Sequence, residues 1–202
     1  MLTHERELWG QGMARIAGID EVGRGCLFGD VVAAAVIMPA GVEIEEINDS
    51  KKLSEKKREY CFEKIRELAV AIGVGRVSAG QIDDINIKQA ARLAMKLALE
   101  QLLVEPDYLL IDAERVDCSI PQLSIVKGDQ LSQSIAAASI VAKVTRDRLC
   151  VEWDRMYPEY GIAGHKGYAT ALHRDQIKRF GASPLHRRSF LRNIEHEQMT
   201  LF

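Results

Sequence analysis

One short segment constrains this chain more than any other: an apolar run that ends in two adjacent carboxylates and turns at once through Gly-Arg-Gly. The segment is Ala17-Gly18-Ile19-Asp20-Glu21-Val22-Gly23-Arg24-Gly25. Arg15 to Ile19 reads as a short buried strand, and Gly23 and Gly25 let the backbone turn sharply with its N–H groups exposed. Two charges where a strand leaves the core are costly unless a cation neutralises them. Paired carboxylates suit a hard metal ion and a Gly-Arg-Gly turn suits a phosphate, so the pattern points to phosphodiester chemistry.

The rest of the chain reads as strand, strand, helix, strand, helix, strand, strand and then helices. After Arg15–Ile19 come a strand over Val31–Met38 and a helix capped by Ser54 that runs to about Leu68, with Tyr60, Ile65 and Leu68 along its inner side. A strand over Val70–Val77 and a helix over Asn86–Leu103 follow, the latter stopped by Glu105-Pro106-Asp107. Tyr108–Ile111 and Leu123–Val126 read as short strands ending at Asp112 and at Lys127-Gly128-Asp129. A long helix from about Leu131 to Met156 carries a small-residue face that permits close packing on a sheet. Gly161–Gly167 reads as a loop and Thr170–Phe180 as a short helix. The pattern predicts an α/β fold: a mixed β-sheet flanked by helices, with a small helical C-terminal part. Residues 1–192 form one domain in this reading, and 193–202 a flexible C-terminal tail.

Composition removes several classes. Cys26, Cys61, Cys118 and Cys150 lack paired spacing, so neither a zinc site nor a disulfide framework is indicated. The N-terminus lacks the apolar core of a signal peptide, and the longest apolar stretch, Val31–Met38, is too short to span a bilayer; the expectation is a cytoplasmic protein with no membrane association. A net charge of −2 gives no global nucleic-acid signature. Its distribution is more informative. Lys51, Lys52, Lys56, Lys57 and Arg58 cluster, and from Tyr160 onward seven Lys/Arg stand against three acids, with four of the five histidines. These clusters are compatible with a nucleic-acid surface beside an acidic pocket and equally with solvated helix faces.

Three expected strands end in acids, Asp20-Glu21, Asp112 and Asp129, and ligands of α/β sheets gather at strand ends. Four converging carboxylates without His or Cys select Mg²⁺ or Mn²⁺ over zinc. Two such ions about 4 Å apart would activate a water and stabilise a leaving oxygen. A haloacid-dehalogenase-type phosphatase would need D-x-D, which Asp20-Glu21-Val22 does not supply. A DNA nuclease and a nucleic-acid-binding module with a degenerate site are the other readings.

Gly18–Gly25 resembles the opening signature of bacterial ribonuclease HII, the type 2 ribonuclease H. The resemblance continues through Asn48–Leu53, Leu109–Asp112, Lys127-Gly128-Asp129, Ala136–Asp147 and His165–Thr170, in the family's order and over about residues 14 to 190. It implies a ribonuclease H-like fold and cleavage of RNA in RNA–DNA hybrids and at single ribonucleotides in duplex DNA, leaving 5′-phosphate and 3′-OH ends. Roles in ribonucleotide removal and primer removal follow. The resemblance assigns Asp20, Glu21, Asp112 and Asp129 as metal-binding catalytic acids and Gly23, Arg24 and Gly25 as the turn contacting the ribonucleotide. Lys51 falls near the nucleic-acid backbone and Tyr168 on the sugar at the junction. Ser139 and Lys143, one helical turn apart, are candidates for supporting the site, with packing and a surface lysine as the plain alternative. Two departures stand out: Asp30 where the family commonly has proline, and a chain that lacks the longer C-terminal helical extension of some relatives. Finally, Gln198-Met199-Thr200-Leu201-Phe202 resembles the Q-x-x-L-F pentapeptide that binds the replication sliding clamp, the alternative being that Leu201 and Phe202 fold back onto the domain.

Overall fold

A sheet of five strands in the order β3-β2-β1-β4-β5 carries everything else in the computed structural model, which describes residues 1–47 and 53–191. β1 (Ile16–Val22), β2 (Val31–Ile37) and β3 (Ala71–Val77) form an antiparallel meander, whereas β4 (Tyr108–Asp112) runs parallel to β1 and β5 (Gln122–Ile125) parallel to β4. The sheet is therefore mixed, as expected. β1 extends three residues beyond the expected Ile19. Asp20 and Glu21 still pair with Ala34 and Ala33 of β2, so the two acids lie inside the strand.

The faces are covered by one long helix each. On one side α3 (Ala79–Glu100) packs Ala90, Ala91, Ala94, Met95 and Ala98 on Ile19, Ala33, Ala35 and Ile111. On the other, α5 (Gln133–Met156) lays its alanines on Ala34 and Val36 and on α2 (Glu55–Leu68). α5 approaches so closely at Gly18 that a Cβ there would sit 2.0 Å from the Ser134 backbone, which explains why β1 carries a glycine in its middle. α2 buries Cys61, Phe62 and Ile65. The expected inner residues Tyr60 and Leu68 are instead exposed, because the helix turns Cys61, Phe62 and Ile65 toward the cluster it shares with α5.

Three further elements differ from expectation. A helix α1 (Thr3–Gly10) precedes β1; Leu8 and, in part, Trp9 are its apolar anchors, and Glu5 is also buried, accepting from Ser132 Oγ–H (2.6 Å) and Ser134 N–H (3.0 Å). A carboxylate there satisfies the free N–H end of α5 and its dipole. α3 starts seven residues before Asn86, capped by Ser78 and Gln81, and kinks at Asn86, whose φ is +65°. Between β5 and α5, α4 (Gly128–Leu131) places Asp129 in a first helical turn and not at a strand end. The expected 161–167 loop contains α6 (Ile162–His165), and α7 (Ala171–Phe180) completes the helical C-terminal part. The expected tail 193–202, with Gln198, Met199, Thr200, Leu201 and Phe202, lies outside the described residues, as do Lys51 and the rest of 48–52.

Candidate active site

β1 and β4 are parallel with Ile19 opposite Ile111, so the next residues along, Asp20 within β1 and Asp112 at the end of β4, sit side by side. Asp20 is 4% exposed and faces α5, accepting a hydrogen bond from Ser139 and one from the Glu21 N–H at 2.7 Å. Asp112 Oδ1 accepts the Gly128 N–H at 2.7 Å, which ties the turn before Asp129 to the end of β4. Asp129 itself is buried in the first turn of α4. Alternation along β1 sends Glu21 to the opposite face, where Arg24 Nη1 donates to its Oε1 at 3.0 Å.

The electrostatics follow from this crowding. Burial, then the charges of Glu21 and Asp112, push the Asp20 carboxyl well above the usual carboxylate range. Burial raises Glu21 as well, opposed by Arg24 and assisted by Asp112. Glu21 Oε2 is buried with no hydrogen-bond partner. As the side chains stand, no three His, Cys, Asp or Glu residues among those described form a ready metal-holding group, and Glu21 is instead paired with Arg24, which also lies 3.6 Å from Glu114. The donor set still fits a hard cation: oxygen only, desolvated, mutually repelling, and with one acceptor orphaned.

The Gly-Arg-Gly turn is built on two buried guanidiniums. Arg146 of α5, 1% exposed, donates to the carbonyls of Phe28 (3.0 Å), Asp30 (3.0 Å) and Lys166 (2.8 Å). Gly23, at φ +93°, leaves no space above it, because a Cβ would stand 2.3 Å from Arg146 Nε. Arg187, 0% exposed, donates to the carbonyls of Gly29 (2.9 Å) and Arg24 (3.0 Å). Burial lowers Arg187 to about 10, so it stays charged at neutral pH. Sequence reasoning missed both roles. It counted Arg187 with the basic C-terminal surface, whereas the side chain is interior; the apolar Leu185 and Phe190 around it were the available signal.

Asp30 is likewise structural. It is 7% exposed and accepts from Arg76 Nε (2.9 Å) and Nη2 (2.8 Å), which turns the departure from proline into an ion pair between the sheet's edge strand and the turn. Lys143, largely buried, pairs with Asp147 at 2.5 Å, and Arg58 reaches the same carboxylate. Tyr168 is 45% exposed on the segment that follows α6, next to Gly167, whose carbonyl accepts the Leu27 N–H at 2.8 Å.

That segment rests on three histidines. His165 and His173 stack with ring centroids 4.3 Å apart, and His173 Nε2 lies 3.1 Å from His186 Nε2. His186 Nδ1 accepts the Ser183 N–H and the Tyr168 carbonyl accepts from His173 Nδ1, so both rings are satisfied as neutral imidazoles with His186 donating to His173. Burial lowers His173 to about 4 and His186 to about 3. Both lie below the ordinary value of 6.5, so the unfolded chain takes up protons first. The stability they contribute is complete above that value and is lost as the pH falls toward 4. Up to about 2–3 kcal/mol for each ring should disappear between neutrality and pH ~4.5. Thermal melts of the wild type and His186→Asn check this: the variant should show a shallower acid loss, and parallel curves would remove the pair from acid unfolding.

Known proteins provide an independent comparison. The family model described as Ribonuclease HII matches residues 17–193. A curated relative from Alkaliphilus metalliredigens, named Ribonuclease HII, is 59% identical over 199 residues, covering 96% of this chain and 98% of its own length. The crystal structure of ribonuclease H2 from Pyrococcus horikoshii OT3 superposes with a TM-score of 0.76 at 26% identity over 92% of this chain and 99% of that one. An RNase HII from Archaeoglobus fulgidus, solved in complex with PCNA, gives a TM-score of 0.73 at 26% identity, covering 86% and 94%.

Proposed function

The chain belongs to the ribonuclease HII family, endonucleases that hydrolyse RNA in RNA–DNA hybrids, and from that premise we propose that it also cuts at single ribonucleotides in duplex DNA, leaving 5′-phosphate and 3′-OH ends. The observation that carries this reading is the placing of Asp20 beside Asp112 at a strand end, one turn from a glycine loop fixed by Arg146 and Arg187. Asp20, Glu21, Asp112 and Asp129 would hold Mg²⁺ or Mn²⁺, which when bound supplies charge stabilisation and an activated water for phosphodiester hydrolysis. Gly23, Arg24 and Gly25 would meet the ribonucleotide. Backbone groups without a Cβ approach a 2′-OH more closely than side chains do, and that hydroxyl both donates and accepts. Arg24 would exchange Glu21 for a phosphate when the acids are neutralised. Tyr168, with its ring exposed beside the Gly167–Leu27 contact, would pack on the sugar at the junction. Ser139 would hold the Asp20 carboxylate in place.

The test is cleavage of a duplex with one ribonucleotide, beside an all-DNA control, with Mg²⁺ or Mn²⁺. Tyr168→Ala should lose about tenfold more rate on that substrate than on a long hybrid, because a hybrid offers many registers and a lone ribonucleotide offers one. Equal slowing of both would detach Tyr168 from junction sensing.

The tail carries a second element of the reading. One relative of this fold was solved with PCNA, and Gln198-Met199-Thr200-Leu201-Phe202 has the chemistry of a clamp tether: two large apolar residues and an orienting glutamine. We infer a sliding-clamp contact with a dissociation constant of about micromolar at best. Calorimetry should detect it in the wild type and not in a Leu201→Ala, Phe202→Ala variant, while cleavage of short duplexes stays the same. No heat from either protein rejects the tether.

A further inference from the structure

A groove of about 650 Å³ opens between α3 and the segment that follows β4, apart from the acids. Its floor is apolar, made by Ile85, Leu93 and Val116. Arg92, Lys96 and Arg115 stand on its walls against a single acid, Asp117. Arg92 Nε donates to Glu114 at 2.9 Å, and the other oxygen of Glu114 lies 3.6 Å from Arg24 Nη1, which in turn donates to Glu21. A file of alternating charge thus runs from the groove to the candidate acids. Among the described residues, neither Lys96 nor Arg115 has an ion-pair or hydrogen-bond partner.

We propose that this groove binds a backbone phosphate of the nucleic acid, away from the phosphate at the acids. The inference rests on the nuclease reading and extends it to a second contact on the same strand path. Two unpaired cations beside an open, locally positive wall favour an anion, and counterion release would make the contact favourable at low salt. Among the described residues, the lining has no aromatic ring on which a base could stack, which favours sequence-independent backbone contact over a pocket for a free nucleotide. Arg92 already holds Glu114, so Lys96 and Arg115 make the contact. An anion there also offsets the charge that Arg92 and Arg24 bring toward Glu21.

Binding to a long hybrid, measured by fluorescence anisotropy in EDTA across a salt series, tests this. Lys96→Ala, Arg115→Ala should bind about tenfold more weakly at low salt, with a log–log salt slope shallower by about one to two. A control with equal charge loss elsewhere, Lys64→Ala, Arg155→Ala, should keep the wild-type slope, and Lys96→Arg, Arg115→Lys should restore it. At saturating duplex with Mg²⁺ or Mn²⁺, the alanine variant should cleave at about the wild-type rate. An unchanged slope overturns the proposal. So does saturable binding of adenosine monophosphate that the alanine variant loses while its hybrid slope stays that of the wild type. Failure of the wild type to cleave hybrid at all would count against the nuclease reading instead, since the salt slope reports the groove alone.

Discussion

Replacing Asp112 with asparagine should lower hybrid cleavage by roughly a thousandfold or more and leave the fold as stable as before or more so. The two halves have one cause. Asp112 Oδ1 accepts the Gly128 N–H at 2.7 Å, and an asparagine oxygen still accepts it, though without the charge assistance, so the link from β4 to the turn before Asp129 survives. What disappears is the negative charge, which contributes to raising both Asp20 and Glu21. Without it the remaining carboxylates repel less, and a gain of about 1 kcal/mol, a few degrees in melting temperature, is the expected scale. The same charge is what a divalent ion would need, and charge stabilisation of the reacting phosphate is worth several kcal/mol. Single-turnover rates and thermal melts measured together decide it. A variant that cleaves normally removes Asp112 from the site, and one that is inactive and also unfolds several degrees lower would show the loss to be structural.

Apolar runs located the five described strands in the sequence, most firmly β2, whose seven buried residues leave little choice of residue type. Helix caps at Ser54 and the breaker Glu105-Pro106-Asp107 were equally readable. The misses share a different origin. α1 is held by the buried carboxylate of Glu5 capping α5 across 127 residues of sequence, a tertiary bond with no local pattern. β1 runs on through Asp20 and Glu21 because β2 continues beside it, although carboxylates normally read as a strand's end. α3 begins before Asn86 because a capping box at Ser78 starts it, and the positive φ of Asn86 lets two helical pieces join.

The candidate site divides in the same way. Two of its candidate acids, Asp20 and Glu21, stand in one contiguous motif with the glycines, and Asp112 and Asp129 follow expected strands, so the sequence could nominate all four by residue type. The framework that fixes them was not. Arg146, Arg187, Glu114 and the Asp30–Arg76 pair look like surface charge in sequence, and each is defined by what folds over it. Local charge counts cannot separate an interior guanidinium from a solvated one. The separation depends on whether backbone carbonyls converge on it, which only the assembled turn decides.

Arg146 is where that framework should fail most visibly. Arg146→Met keeps an unbranched side chain of similar reach but no donors, leaving the carbonyls of Phe28, Asp30 and Lys166 without this partner in the interior. Unpaired buried acceptors cost roughly 1–3 kcal/mol each, partly relieved by water or by adjustment of the turn, so a loss of about 3–5 kcal/mol is expected in urea denaturation. Arg146→Lys should recover only part of it, because an ammonium lacks the planar fork that reaches three carbonyls in three directions. A local readout separates the turn from the whole molecule. Cys150, whose sulfur lies 3.7 Å from Arg146 Nη1, and Cys26 inside the turn are both fully buried, and burial pushes the Cys150 thiol up to about 11. Under native conditions both should react with a thiol reagent faster in Arg146→Met than in the wild type, by about tenfold for Cys26, while Cys61 on the buried face of α2 stays protected. Loss of hybrid cleavage should accompany that opening, since the Gly-Arg-Gly turn would no longer be held in one conformation. A destabilisation below about 1 kcal/mol, with Cys26 still protected, would mean that the turn holds its shape without the buried guanidinium.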